Sequence, residues 1–225
     1  SAKEAGADVV VIEKQAVTGG TTAIAGGYLI SIDSKLYDDT DFDDSLDTFR
    51  KYWDERMSYS GQQSGYPDET RWEEIVSKTG ETVDWLQEKG VTWEVFTGFG
   101  PYPTAHNPLG GRGLIDEMVK IAENQGIEVI TECKGEKLVI DDQGAVVGVV
   151  AETADKVITF NASSVVLATG GISANGEMVK QYSPKVAQAQ TISVAAAGST
   201  GDGMTMALEA GAVPFENFFT SICAT

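Results

Sequence analysis

Apolar positions recur along this chain with different spacings, and each spacing predicts a different element. The run Asp8-Val9-Val10-Val11-Ile12-Glu13 is continuously apolar between two acids, the pattern of a short buried strand. Just before it, Ser1-Ala2-Lys3-Glu4-Ala5-Gly6 reads as the last turn of an amphipathic helix that Gly6 ends. Helical spacing returns over 45–57 in Leu46, Phe49, Trp53 and Met57, a stripe that suits a core rather than a stacking platform. It recurs over 69–89 in Trp72, Ile75, Val76, Val83, Trp85 and Leu86, with Gly80 as a break between two helices and Gly90 as the stop. Gly110-Gly111-Arg112-Gly113 leads into a third helical stretch to Asn124, with Leu114, Met118 and Ile121 on one face and Gly126 closing it. Residues 28–32 continue into the core, and 91–96 can form a short strand.

From Ile127 the pattern turns to strands over 127–131, 137–140, 145–152 and 156–160. Asp141-Asp142-Gln143-Gly144 supplies a tight hairpin turn, so this part reads as a small antiparallel meander. Val165-Val166-Leu167-Ala168-Thr169-Gly170-Gly171 follows as a fully buried strand with glycines at its carboxyl end, where ligands sit in open α/β sheets. A helix begins over 204–210.

Between the first strand and this helical region lies Thr18-Gly19-Gly20-Thr21-Thr22-Ala23-Ile24-Ala25-Gly26-Gly27. A strand ending in an acid and opening into a loop with two glycine pairs and little bulk suits close backbone approach to a flat ligand, here read as a flavin. In a dinucleotide-binding unit the order is strand, GxGxxG turn, helix, second strand, acidic residue. Only the last three parts are found in this sequence, so the expectation is a unit that lacks its first strand and phosphate-binding turn.

Composition narrows the function classes. The 225 residues carry 34 acidic and 16 basic side chains, a formal net charge of -18, which argues against unaided binding to nucleic acid or an anionic membrane. A content of 42% hydrophobic residues supports a globular core, and no apolar run is long enough to span a membrane. Cys133 and Cys223 lie far apart without metal-ligand company, so neither a zinc site nor a disulfide framework is expected. The compartment is open: a soluble protein, cytoplasmic or exported. Asp39, Asp41 and Asp43 alternate as in a calcium loop, but the glycine and glutamate of an EF-hand are absent at the sixth and twelfth positions. The plain reading is a solvated loop in which Asp43 or Asp44 caps the next helix. The stretch 97–113 is a long glycine- and proline-containing loop holding the only histidine, His106, which either touches substrate or flavin or is structural. The GGxG before the third helix is a weak phosphate signal.

Taken in order, the glutamate-ended strand, the GGTTAIAGG loop, the helices, the meander, VVLATGG and Gly198-Ser199-Thr200-Gly201-Asp202-Gly203 resemble a known family. It is the FAD-binding domain of the fumarate reductase and succinate dehydrogenase flavoproteins, shared by flavocytochrome-type fumarate reductases and 3-ketosteroid dehydrogenases. The resemblance implies an α/β, FAD/NAD(P)-binding Rossmann-like domain with an antiparallel meander, truncated at both ends. Residues 1–213 would form the FAD-binding domain and 214–225 the start of a capping domain.

The resemblance also implies the site. Glu13 would accept hydrogen bonds from the adenosine ribose, with Lys14 beside it. Gly19, Gly20, Thr21 and Thr22 would face the pyrophosphate and flavin, and Ala25, Gly26 and Gly27 would pass under the isoalloxazine ring. Cys133, Lys134 and Gly135 would present backbone to adenine. Ala168, Thr169 and Gly170 would approach from the sheet, and Thr200, Gly201, Asp202 and Gly203 would lie near the flavin, Asp202 also as a helix cap. The flavin loop lacks the histidine that bonds covalently to the ring in the membrane-complex members, so FAD should be non-covalent. The early capping-domain histidine has no counterpart in 220–225, and no catalytic residue is named.

Two hypotheses follow. In one, the chain belongs to an FAD-dependent oxidoreductase that reduces or dehydrogenates a carbon–carbon bond next to a carbonyl or carboxylate, its substrate a small unsaturated acid or enone. In the other, it is a non-catalytic core or cofactor-binding module that does not hold FAD by itself. Loss of a central strand would leave open sheet edges, so self-association is also expected.

Overall fold

The structure, a computed structural model, describes residues 1–59, 69–98, 102–188 and 193–214. In chain order the elements are β1 (Val10–Ile12), α1 (Gly20–Ile24), β2 (Tyr28–Leu29), a 3-10 turn (Lys35–Tyr37), α2 (Leu46–Tyr59), α3 (Glu69–Val76) and α4 (Thr79–Lys89). They continue with β3 (Glu94–Phe96), β4 (Thr104–His106), α5 (Gly110–Asn124), β5 (Glu128–Ile130), β6 (Lys134–Ile140), β7 (Val146–Glu152) and β8 (Val157–Asn161). The last are α6 (Gly176–Tyr182), α7 (Pro184–Gln188) and α8 (Asp202–Glu209). The chain divides into two compact units, Ser1–Ile24 with Ala122–Thr225, and Ala25–Ile121. The expected start of a capping domain, Cys223 included, lies outside the described residues apart from Pro214.

In the first unit the opening residues form a helical turn. Ala5 N donates to Ser1 O, and Gly6 ends the turn at a φ of 90°. The chain then enters β1, which pairs in parallel with β5 through Val10–Glu128, Val11–Val129 and Ile12–Ile130. The segment 127–131 therefore does not join the meander. Parallel pairing requires a long crossover, and the sequence shows which stretches are strands without showing which of them the crossover joins. The meander itself is as expected, with β6, β7 and β8 antiparallel in sequence order. Asp141 Oδ1 accepts from the amides of Gln143 and Ala145 and so holds the hairpin, while Gly144 takes a φ of 85°.

The segment 165–171 corrects the sequence reading, which made it a fully buried strand. It has no strand partner among the described residues; Val166 is 87% exposed and Leu167 37%. A continuous apolar run signals two-sided burial only when strands flank it and layers cover it, and none of the described strands pairs with it.

The second unit holds two apolar clusters. Phe49 of α2 packs with Ile32 and Tyr102, and Leu46, Trp53, Trp72 and Val76 close around them, so the α2 stripe is core; the Met57 side chain lies outside the described residues. Val83 and Leu86 of α4 pack with Val91, Trp93 and Ala105, joined by Leu114 and Ile121 of α5. Met118 and Ile75, counted as apolar-face residues from the spacing, are instead exposed. Gly80 does not break the helices. The chain interrupts at Ser77 and Lys78, and Gly80 lies inside α4, where any Cβ would run into the carbonyl of Ile32. Gly90 ends α4 in the left-handed conformation at a φ of 108°, as expected.

The stretch 97–113 is likewise not one structureless loop. It contains β4, which pairs with both β2 and β3 and buries Thr104 and Ala105. Its mixed composition hid a central strand of only three residues. The acidic segment 37–47 binds its own backbone. Asp43 accepts from Ser45 N and the Thr48 hydroxyl, Ser45 Oγ caps Thr48 N at the start of α2, and Asp44 turns away to accept from Ser34 N. Among the described residues no acidic, histidine or cysteine group is clustered to hold a metal, and no helix is long and apolar enough to cross a membrane.

Candidate functional site

The site in the first unit grows from the end of β1. The ladder extends one residue past the strand, with Glu13 N donating to Ile130 O at 2.8 Å. Cys133 N then donates to Glu13 O at 2.9 Å and Glu132 N to Gln15 O at 3.0 Å, which fastens the β1 exit to the chain entering β6. Glu13, Lys14 and the stretch Cys133–Lys134–Gly135, 120 positions apart in sequence, are thereby neighbours. Cys133 is buried, and burial pushes its thiol above the ordinary range, so its part is backbone and packing rather than nucleophilic chemistry. Gly135 lies in van der Waals reach of Ile12 and of Met206 on α8, a Cβ there falling 3.7 Å from each.

The turn before α8 completes the assembly. Gly201 N donates to Gly171 O, Asn175 Nδ2 to Thr200 O and Ala174 N to Ser199 O, so the turn rests on the segment that follows VVLATGG. Gly203 packs on Thr169, and a Cβ on it would clash with the threonine side chain. Gly170, at a φ of 75°, faces Ser199. From the other side, the Thr21 hydroxyl lies 3.4 Å from Ser199 Oγ and accepts from Ala196 N at 3.1 Å. Gly201 itself takes a φ of 84°, and Asp202 begins α8. Asp202 thus stands in the first turn, where its charge favours the helix, but its side chain makes no cap bond to the α8 backbone.

The structure therefore brings together Glu13, Lys14, Thr21, Cys133, Lys134, Gly135, Thr169, Gly170 and Thr200 to Gly203 in one unit. The surface left among them is small and polar. Thr21, Thr22, Ala168, Thr169 and Gly170 are exposed, and a Cβ on Gly20 would meet nothing within 4 Å. Glu13 Oε1 accepts from Gln15 N at 2.7 Å, whereas Oε2 takes no hydrogen bond among the described residues. An available carboxylate acceptor at a strand end, beside glycine-rich backbone, suits a dinucleotide with ribose hydroxyls. Lys14 is engaged otherwise. Its Nζ donates to Thr200 Oγ1 and to Asp202 Oδ2, each at 2.5 Å. Burial raises the Asp202 carboxyl, but the Lys14 and Thr200 hydrogen bonds with the Lys14 and Lys134 charges outweigh it, and the net shift is below the usual carboxylate range. Sequence reasoning placed Lys14 and Asp202 in the site separately and missed that they bond to each other; nothing in either local motif signals the pairing. Ser199 was also missed as a contact of Thr21, although it stands inside the Gly198–Gly203 motif.

Ala25, Gly26 and Gly27 belong to the second unit, where their smallness has its own cause. Gly27 lies against Gly110 backbone to backbone, Asn107 N donates to Gly27 O, and Gly111 N donates to Ala25 O. The amides of Gly110, Gly111 and Gly113 all have backbone acceptors, so GGxG is a packing motif here and not a phosphate cradle. His106 stacks on Tyr28 with ring centroids 4.4 Å apart, and its Nδ1 lies 2.9 Å from Glu94 Oε1. Next to it, buried Asn107 donates to Thr92 O and Glu117 Oε2 and accepts from Leu109 N, which fixes the chain between β4 and α5.

Known proteins resemble the chain over most of its length. Residues 1–222 match the family described as FAD binding domain. The chain is 31% identical over 219 residues to a probable fumarate reductase of Shewanella frigidimarina, covering 94% of this chain and 36% of that protein. It is 31% identical over 221 residues to the urocanate reductase of Eggerthella lenta, covering 94% of this chain and 35% of that one. Among solved structures it superposes on a 3-ketosteroid-Δ4-(5α)-dehydrogenase from Rhodococcus jostii, crystallised with 4-androstene-3,17-dione. The TM-score is 0.78 at 26% identity, over 94% of this chain and 50% of that one. The chain thus spans about a third of the curated relatives' length. On its matched sequence and its α/β fold with an antiparallel meander, the chain belongs to the FAD binding domain family of fumarate reductase-like flavoproteins, with FAD as its cofactor.

Proposed function

We propose that the chain is the FAD-binding part of an oxidoreductase that reduces or dehydrogenates a carbon–carbon bond next to a carbonyl or carboxylate. The observation that carries the reading is the convergence of the β1 exit, the start of β6, Thr169–Gly170 and the Thr200–Gly203 turn, four separate motifs, in one unit. The relatives' names support the reaction class: fumarate, urocanate and 4-androstene-3,17-dione all carry a double bond conjugated to a carbonyl. Bound FAD supplies hydride exchange at N5. The chain's own residues orient and hold it. Glu13 accepts from the adenosine ribose, Cys133 to Gly135 present backbone to adenine, and the small residues Gly19 to Thr22 and Ala168 to Gly170 admit a flat ligand without bulk. The flavin is held without a covalent bond, since the loop 18–27 has no histidine.

A second reading, that this stretch of chain is a non-catalytic core or cofactor-binding module that does not hold FAD by itself, is favoured by the segment 165–171, which has no strand partner among the described residues and includes three of the assigned residues. One experiment separates the readings. The full-length protein, reduced with dithionite, is mixed in turn with fumarate, urocanate and a 4-ene-3-ketosteroid, and reoxidation of flavin absorbance is followed; the 225-residue chain is titrated with FAD in parallel. Reoxidation by one conjugated acceptor is expected. A flavin that none of them reoxidises contradicts the reaction class, and a full-length protein without flavin contradicts the cofactor reading.

A further inference from the structure

We infer that Lys14 and Asp202 are a positioning pair: the ammonium serves the FAD site by locking the Thr200–Gly203 turn onto the strand end that carries Glu13, and not by touching the cofactor. The inference rests on the reading above of Glu13 and the Thr200–Gly203 turn as parts of one FAD site. Three observations carry it. First, Lys14 Nζ spends two of its three donors at 2.5 Å on Thr200 Oγ1 and Asp202 Oδ2, and Thr200 Oγ1 donates onward to Asp202 at about 3.0 Å, so the three groups form a closed network. Second, the pair is mostly shielded, the side chains being 18% and 24% exposed, so it is screened less than a surface bridge. Third, the lysine stem has a prepared passage: a Cβ on Gly198 would lie 3.3 Å from Lys14 Cε and 3.4 Å from Gln15 Cγ, closer than most real contacts.

The bond closes a span of 188 residues. It holds a turn whose own backbone is permissive, since Gly201 is left-handed and α8 lacks a side-chain cap at its start. Without the bond, the turn keeps its contacts to Gly171 and Asn175 but loses its tie to the strand that presents Glu13. Lys134 on β6, whose charge also acts on Asp202, is paired to Glu136 at 2.8 Å and does not replace Lys14.

The test is a double-mutant cycle in the full-length protein with Lys14→Met, Asp202→Asn and the two combined. Its readouts are the FAD dissociation constant and the visible circular dichroism of bound flavin, which reports ring setting and which a purely global loss of stability does not move. A positioning pair predicts that each single variant weakens FAD by about tenfold, as for loss of a charge-assisted hydrogen bond. It also predicts that the double variant is no weaker than either single one and that both singles change the flavin dichroism alike. Lys14→Arg, which keeps a cation within reach of Asp202, recovers most of the affinity and covers the case in which Lys14→Met does not fold. Losses that multiply in the double variant mean that Lys14 touches FAD directly and overturn the inference, as do single variants with unchanged affinity. A wild-type protein without FAD overturns the site reading and the inference together.

Discussion

Gly27 and Gly110 meet backbone to backbone: a Cβ on Gly27 would stand 2.8 Å from Gly110 Cα and 2.6 Å from its carbonyl carbon. The contact joins the loop that enters β2 to the start of α5, and Gly111 N and Asn107 N bond across it to Ala25 O and Gly27 O. Gly27 also has a φ of 78°. Substitution by alanine therefore adds a steric clash to a conformational strain, together on the order of 2 kcal/mol or more. Gly90→Ala is the control, since Gly90 has a positive φ but nothing within 4 Å of a Cβ. Thermal denaturation is expected to show a larger fall in Tm for Gly27→Ala; equal falls would mean that the Gly110 contact does not constrain the loop.

Buried phenols make the second unit sensitive to alkali. Tyr37 shares a 2.7 Å hydrogen bond with Ser31, and Tyr102 donates to the carbonyls of Ser31 and Asp44. Burial is the main reason that Tyr37 is pushed up to about 12, and burial with the charge of Asp44 raises Tyr102 further. A pKa raised in the folded state means that the stabilisation is complete below the unfolded value of 10.0 and drains away as pH rises toward the folded values. Spectrophotometric titration should find two of the seven tyrosines ionising late, together with loss of near-ultraviolet dichroism, while Tyr102→Phe shifts that loss to a different pH. All seven tyrosines titrating near pH 10 with the fold intact would contradict the packing described.

How much of this was legible in the sequence depends on whether a residue's partner is near or far along the chain. Gly90 and Gly144 were read correctly because a helix stop and a hairpin turn are decided by a few neighbouring residues. Gly80 was misread because the carbonyl it makes room for belongs to Ile32, far outside any helix-length window. The same holds for β5, whose apolar pattern was plain while its partner, β1, was not. The site shows both sides of this. Glycine-rich motifs point to close approach in any context, and Gly170 and Gly203 do meet close neighbours, Ser199 and Thr169. A lysine and an aspartate that meet across 188 residues leave no such mark.

Exposed apolar edges predict association of this 225-residue chain with itself. Val10 and Val11 of the two-stranded β1–β5 pair are each 42% exposed, and Val166 is 87% exposed in the segment 165–171, which has no strand partner among the described residues. Unpaired edges of this kind pair with further strands. Sedimentation velocity of the chain should show concentration-dependent species larger than 23.9 kDa, reduced by Val166→Lys. A single monomeric boundary at all concentrations would show that these edges are not adhesive.

The central claim is that the carboxylate at the exit of β1 holds the FAD ribose, and the most direct measurement of it is the FAD dissociation constant of Glu13→Ala in the full-length protein. Loss of a charged acceptor predicts affinity weaker by about tenfold or more, with the flavin spectrum of the remaining complex unchanged because the ring is not the part released. An affinity equal to that of the wild-type protein would contradict the assignment of Glu13 and with it the site built around β1.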